Sequence, residues 1–191
     1  MMNDRQSLGR ARTRLEDEYL VLAAQAGDRN AFALLVRRWH PKLVAHAWRL
    51  TGDREAATDT TQAAWVEIVR GLPHLRDEKA FPAWAYRIAT RRAARFVGSA
   101  IASRKLAVEL ARGQPNETEA PASEIGSEYD LKRGLAALSP AHRVVVALHY
   151  HDDLSVAEIA VALDIPAGTV KTRLMHARVR LRQLLEGHEN E

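Results

Sequence analysis

The 191-residue chain contains no cysteine. That excludes disulfides, thiolate-bound zinc, iron–sulfur clusters on thiolates and a cysteine nucleophile, and it fits a reducing, cytoplasmic setting. No uninterrupted apolar run approaches the roughly 20 residues of a membrane span. The first residues, Met1 to Asp17, mix arginines with acids and lack the apolar stretch of a secretory signal. Strict apolar alternation over strand lengths is missing as well, which argues against a sheet. The length allows one medium domain or two small ones, at roughly 100–200 residues per domain. Apolar residues make up 47% of the chain, which excludes wholesale disorder.

Two segments also lack acids. The net charge is only +4, yet Pro82 to Val97 carries Arg87, Arg91, Arg92 and Arg95 without one carboxylate. Pro166 to Arg182 carries Lys171, Arg173, Arg178, Arg180 and Arg182, again without one. The acids gather elsewhere, from Asp53 to Glu78 and from Glu109 to Glu124. Basic segments segregated in this way suit contact with a polyanion, most often nucleic acid.

What is present is helical periodicity. Phe32, Leu35, Val36, Trp39, Leu43, Ala47 and Leu50 repeat at three and four, predicting a helix over Asn30 to Leu50. Thr51-Gly52-Asp53 is a stop followed by a new cap. Ala57, Thr61, Ala64, Trp65 and Ile68 mark the inner face of the next helix, and Gly71-Leu72-Pro73 ends it. After the polar loop His74 to Lys79, the residues Phe81, Trp84, Ala85, Ile88 and Phe96 form a further inward stripe. Composition changes near Gly98; in that stretch Ala100 to Ala111 is compatible with a helix, and Gln114 to Gly126 reads as a flexible linker. Trp39, Trp48, Trp65 and Trp84 all precede it, so the two halves are expected to hold separate cores. The predicted fold is all-α: two small helical domains, 16–97 and 128–187, joined by a linker at 98–127.

The C-terminal half shows a helix-turn-helix pattern. Ser139-Pro140 opens a helix, Ser155 with Glu158 forms a capping box before Val156 to Leu163, and Asp164-Ile165 is a tight turn. Pro166 then opens a long basic helix. On it Val170, Leu174, Ala177, Leu181, Leu184 and Leu185 lie within about 60° of one line, the core face. Lys171, Arg178 and Arg182 fall on one flank, and Arg173 and Arg180 on the other. Thr172, Met175, His176 and Val179 point away from the core. Flanking cations suit the two phosphate walls of a major groove, and outward side chains suit its base edges. A helix facing only solvent gives no reason for Met175 and Val179 to point outward. The stripe Arg87, Arg91 and Arg95, with its mutual repulsion, is likewise explained by an anion in front of it.

Taken together, these segments resemble a bacterial RNA polymerase sigma factor of the extracytoplasmic-function (ECF) group. The motifs carrying the resemblance run Ala57-Thr58-Asp59-Thr60-Thr61-Gln62, then Phe81 through Ala89, then Leu135 through Pro140, then Leu154 through Ala160, then Gly168 through Leu174. The last occurs in many helix-turn-helix proteins; the five in this order carry the weight.

The resemblance implies roles. Asp59 and Gln62 would dock on the coiled-coil clamp of core RNA polymerase. The loop from Pro73 to Pro82, with His74, Arg76 and Lys79, would hold a base flipped from the melted non-template strand, whose extrusion costs a few kcal/mol. Arg87, Arg91, Arg92 and Arg95 would lie along the −10 promoter element. Thr172, Met175 and His176 would face bases of the −35 element, with Lys171, Arg173 and Arg178 nearer its backbone. An anti-sigma factor is a further implied partner; no cofactor is. Four positions depart from the family pattern. Thr58 and Ala63 replace frequent glutamates, Arg91 replaces a usual asparagine, and Asp164 replaces a usual glycine. Two other readings accompany this one: an autonomous helix-turn-helix regulator, and a sigma-like decoy for an anti-sigma factor. A catalytic reading lacks a nucleophile–base pair and a phosphate loop. His149, His151, Asp152 and Asp153 lack metal-ligand spacing.

Overall fold

The computed structural model describes residues 2–110, 135 and 137–186. Helix α1 (Met2–Gln25) is followed by α2 (Arg29–Thr51), α3 (Arg54–Gly71) and, after two short 3₁₀ turns, α4 (Phe81–Leu110). The C-terminal half adds α5 (Pro140–Val146), a π turn (Ala147–His151), α6 (Val156–Leu163) and α7 (Ala167–Glu186). The sequence reading began its helices at Asn30, so α1 is an addition. The predicted linker falls partly on α4, which runs on unbroken to Leu110; Gln114 to Gly126 lies outside the described residues. No helix among the described residues is long and apolar enough to cross a membrane.

Local chemistry sets the boundaries. Asp28 caps α2 by accepting from the Asn30 and Ala31 amides at 2.8 and 3.1 Å. Gly52 closes that helix at φ 71°, the left-handed conformation glycine adopts freely, and Asp53 caps α3 through the Ala56 amide at 2.7 Å. The capping box is present: Glu158 N donates to Ser155 Oγ, and Ser155 N donates to the Glu158 carboxylate at 2.7 Å. Asp164, at φ 57°, ends α6 in the left-handed conformation.

Leu35, Trp39 and Leu43 of α2 pack with Ala64, Trp65 and Ile68 of α3 and with Phe81, Tyr86 and Ile88 of α4. Trp39 meets Phe81 and Tyr86 edge-on, with ring centroids 5.3 and 5.7 Å apart. One aromatic assignment needs correction: Phe96, expected in the inward stripe, is 41% exposed. In the C-terminal half Val144, Val145, Leu148, Ile159, Val170 and Leu174 are buried together.

The cores are not separate. One contiguous apolar cluster runs through both halves, and α6 packs broadly across α4. The π turn helps to seat the C-terminal half. Its extra residue per turn carries Asp152 toward Arg49, 3.8 Å away, while Asp153 takes the left-handed conformation at φ 55°. His149 Nδ1 lies 3.0 Å from the Leu154 carbonyl oxygen. The His149–Asp153 cluster is thus engaged in chain geometry.

Candidate nucleic-acid interface

The helix-turn-helix unit presents its long helix as the sequence predicts. Val170, Leu174 and Ala177 are buried, and Leu181 is half-buried. Leu184 and Leu185 lie outside the residues whose side chains are described. Lys171, Thr172, Met175, His176 and Arg178 are exposed, and Arg173 is half-buried. Met175 and Val179 are 52% and 51% exposed, two apolar side chains on the outer face of a cationic helix. Thr172 Oγ1 donates back to the Gly168 carbonyl at 3.0 Å, so its methyl is the freer recognition group in this rotamer. Two residues of the preceding segment touch this outer face. Tyr150 accepts from Arg178 Nε at 2.7 Å, and the His142 ring stands 6.1 Å from that of His176. Sequence reasoning missed both, because the partners are 28 and 34 positions apart.

On α4, Arg87, Arg91 and Arg95 are exposed along one face, as their spacing requires. Arg92 turns aside and pairs with Glu67 of α3 at 2.8 Å, so it braces α3 against α4 and stands apart from the row. Arg87 is already engaged, 3.1 Å from Asp164 of the C-terminal half. His74, Arg76 and Lys79 are exposed on the short turns before α4. Those turns are anchored: Gln25 donates to the Leu72 and Leu75 carbonyls at 2.9 and 2.7 Å, and the Asp77 carboxylate caps Lys79 N. Gly71 permits the close approach of α4, since a Cβ there would stand 2.7 Å from Trp84 Cζ2.

Asp59 and Gln62 lie on a third exposed surface. Glu55, Asp59, Gln62, Val66 and Val69 are all exposed on α3 at alternating spacings of four and three. That four–three repeat has the spacing of a coiled-coil seam. Val66 and Val69, each 50% exposed, continue the stripe as apolar contacts. Past Val69 it runs into a groove of about 230 Å³ lined with Phe32, Leu72 and Pro73. The sequence reading did not single out the two valines, although their spacing from Gln62 was a usable signal.

Behind these faces the buried polar groups are structural. His46 is fully buried between α2 and α4, with Nε2 2.9 Å from Thr90 Oγ1, and burial pushes its pKa down to about 3, with nearby Arg49 acting in the same direction. Asp17 of α1 lies 2.8 Å from Arg38 Nε, and burial raises its pKa although Arg38 opposes the shift.

Comparison with known proteins covers both halves. Residues 35–100 match the family model for sigma-70 region 2, and residues 129–181 match that for sigma-70 region 4. The ECF RNA polymerase sigma-E factor of Escherichia coli (strain K12) is 30% identical over 175 residues, covering 86% of this chain and 91% of that protein. The RNA polymerase sigma-H factor of Pseudomonas aeruginosa is 27% identical over 197 residues, covering 91% and 96%. Two solved structures share the fold. CnrH in complex with the cytosolic domain of CnrY aligns with a TM-score of 0.60 at 24% identity, covering 90% of this chain and 98% of that one. The sigma factor RpoE in complex with the anti-sigma factor NepR from Bartonella quintana aligns at 0.56 and 24%, covering 81% and 96%.

Proposed function

The chain belongs to the ECF group of sigma-70 factors, which are transcription initiation factors, and from that premise we propose a division of labour among its three exposed surfaces. The α3 stripe of Asp59, Gln62, Val66 and Val69 docks on a coiled coil of core RNA polymerase. The α4 row of Arg87, Arg91 and Arg95, with His74, Arg76 and Lys79 on the turns before it, holds the −10 element and its melted strand. The α7 face reads the −35 element in the major groove, with Met175 and His176 toward base edges and Lys171, Arg173 and Arg178 toward phosphate. The domains are 16–97 for the first two tasks and 128–187 for the third. The protein acts in the cytoplasm, without catalysis of its own, and an anti-sigma factor opposes it.

The observation carrying this reading is the outward placement of Met175 and Val179 between two rows of cations on the second helix of a helix-turn-helix. Water gives no reason for such placement, whereas thymine methyl groups in a major groove do. The α3 seam separates this reading from an autonomous regulator, which would leave that seam idle. Purified protein should co-elute with core polymerase and support runoff transcription from its promoter. Tight operator binding without polymerase, together with failure to bind polymerase, would overturn the proposal.

A further inference from the structure

The seam between the halves has one polarity in its named ion pairs. Arg87 Nη2 lies 3.1 Å from Asp164 Oδ1, Arg14 Nη2 lies 3.4 Å from Glu158 Oε2, and Arg49 Nη1 lies 3.8 Å from Asp152 Oδ2. In each the cation comes from the N-terminal half and the acid from the C-terminal half. Arg14 also donates to the Asp153 carbonyl at 2.9 Å. An acidic edge, contributed by Asp152 just after the π turn and by both ends of α6, is therefore laid against arginines of the N-terminal half.

Asp164 occupies a special place in that edge. It sits at φ 57° in the turn of the helix-turn-helix, a conformation glycine enters without cost and most other residues do not. Glycine would close α6 equally well, but only a side chain there puts a carboxylate on Arg87. That arginine heads the exposed row continued by Arg91 and Arg95. A carboxylate engages a guanidinium through the same donors a phosphate would use. Beside this pair, α6 lies across α4.

We propose that Asp164 is an intramolecular stand-in for a DNA phosphate on Arg87, so that the docked C-terminal half competes with DNA for α4. The proposal rests on reading α4 as a DNA-facing helix. Arg87 and Asp164 are 44% and 61% exposed, so this pair is weakened by salt and is worth little alone. The closed arrangement rests also on the apolar packing of α6 across α4 and on the largely buried Arg49–Asp152 pair, and the exposed pairs at its edge are the part a polyanion competes with.

The test uses the full chain. Since the chain has no cysteine, Arg70→Cys and Gln183→Cys, both at exposed positions, supply two dye sites for intramolecular energy transfer. The probe is a labelled single-stranded oligonucleotide of mixed sequence, followed by anisotropy. Asp164→Asn keeps a residue that tolerates the left-handed turn, and Arg14→Ala removes a second contact. The double variant should lower transfer efficiency and tighten oligonucleotide binding by roughly 2- to 10-fold, as expected for two exposed ionic contacts. Adding Arg87→Ala should abolish the gain in binding. Unchanged transfer with unchanged affinity would overturn the latch, and so would a fall in transfer without tighter binding. Arg91→Ala with Arg95→Ala reports on α4 separately. If that pair weakens oligonucleotide binding, the DNA-facing reading survives a failed latch; if it does not, that reading falls, and the latch with it.

Discussion

The hydroxyl of Tyr150 accepts a hydrogen bond from Arg178 Nε at 2.7 Å, and the guanidinium carbon lies 5.8 Å from the centroid of the tyrosine ring. A residue of the π turn thus fixes the direction of a cation on the last helix. Tyr150 is itself 55% exposed, so it meets the same face of the molecule as Arg178. Its hydroxyl sets where the guanidinium points, and under the proposed reading of α7 a guanidinium already placed loses less freedom on binding DNA.

Tyr150→Phe should therefore weaken duplex binding by roughly 2- to 5-fold, the worth of one hydrogen bond of modest net strength. In an Arg178→Ala background the same change should cost nothing more. A double-mutant cycle by fluorescence anisotropy measures both, and additive losses would show that Tyr150 acts independently of Arg178.

The α3 seam makes a second prediction. Val69→Ser and Asp59→Ala should each reduce affinity for core polymerase by more than about 1 kcal/mol, as central contacts of an interface do. Because Val69 is half exposed, thermal stability should change by no more than about 0.5 kcal/mol. Competition against a labelled sigma factor for core enzyme reads the first quantity, and calorimetry reads the second. Unaltered polymerase binding would remove the valine from the interface.

Two glycines should respond in opposite directions. At Gly71 an added Cβ would stand 2.7 Å from Trp84 Cζ2, so Gly71→Ala should destabilise the protein by about 1–3 kcal/mol. At Gly98, within α4 and exposed, an added Cβ would meet nothing within 4 Å, and Gly98→Ala should stabilise by up to about 1 kcal/mol through helix propensity. Urea unfolding of the two variants side by side would decide it; equal shifts would contradict the packing of Trp84 on Gly71.

His46 gives a dependence on pH. Its folded-state pKa, about 3, lies below the ordinary 6.5, so the folded state holds it neutral. Its contribution to stability is full above 6.5 and is lost as pH falls from 6.5 toward 3. The slope from this one group is at most about 1.4 kcal/mol per pH unit. His46→Gln should flatten the profile of urea midpoint against pH across that window, and a profile of unchanged steepness would show that another group titrates there.

Much of the fold was legible because its signals are local. The caps at Asp53, Ser139 and Ser155 and the stop at Gly52 each rest on a side chain within three residues of the backbone it serves or on one dihedral angle. The inner face of α7 followed from 100° per residue alone. Helix α1 escaped because Met1 to Asp17 reads as mixed charge. Part of what holds it is distant, Arg38 of α2 gripping Asp17 and Glu16. Phe96 departs from its stripe because periodicity states which residues share a face and not how deeply each is buried. The pairing of Arg92 with Glu67, 25 positions away, left no local signal in the sequence.

By itself the sequence determined the all-α architecture, the helix-turn-helix, the positions of the cationic rows and the family, since each depends on residues a few positions apart. Tertiary structure alone decided that the halves share one contiguous core, that the π turn delivers Asp152 to Arg49, and that Arg87 is held by Asp164, 77 positions away. Nine cations in two acid-free segments could be counted from the chain. Which of them face outward and which are already paired depends on long-range packing, where contacts between residues distant in sequence leave no periodic trace.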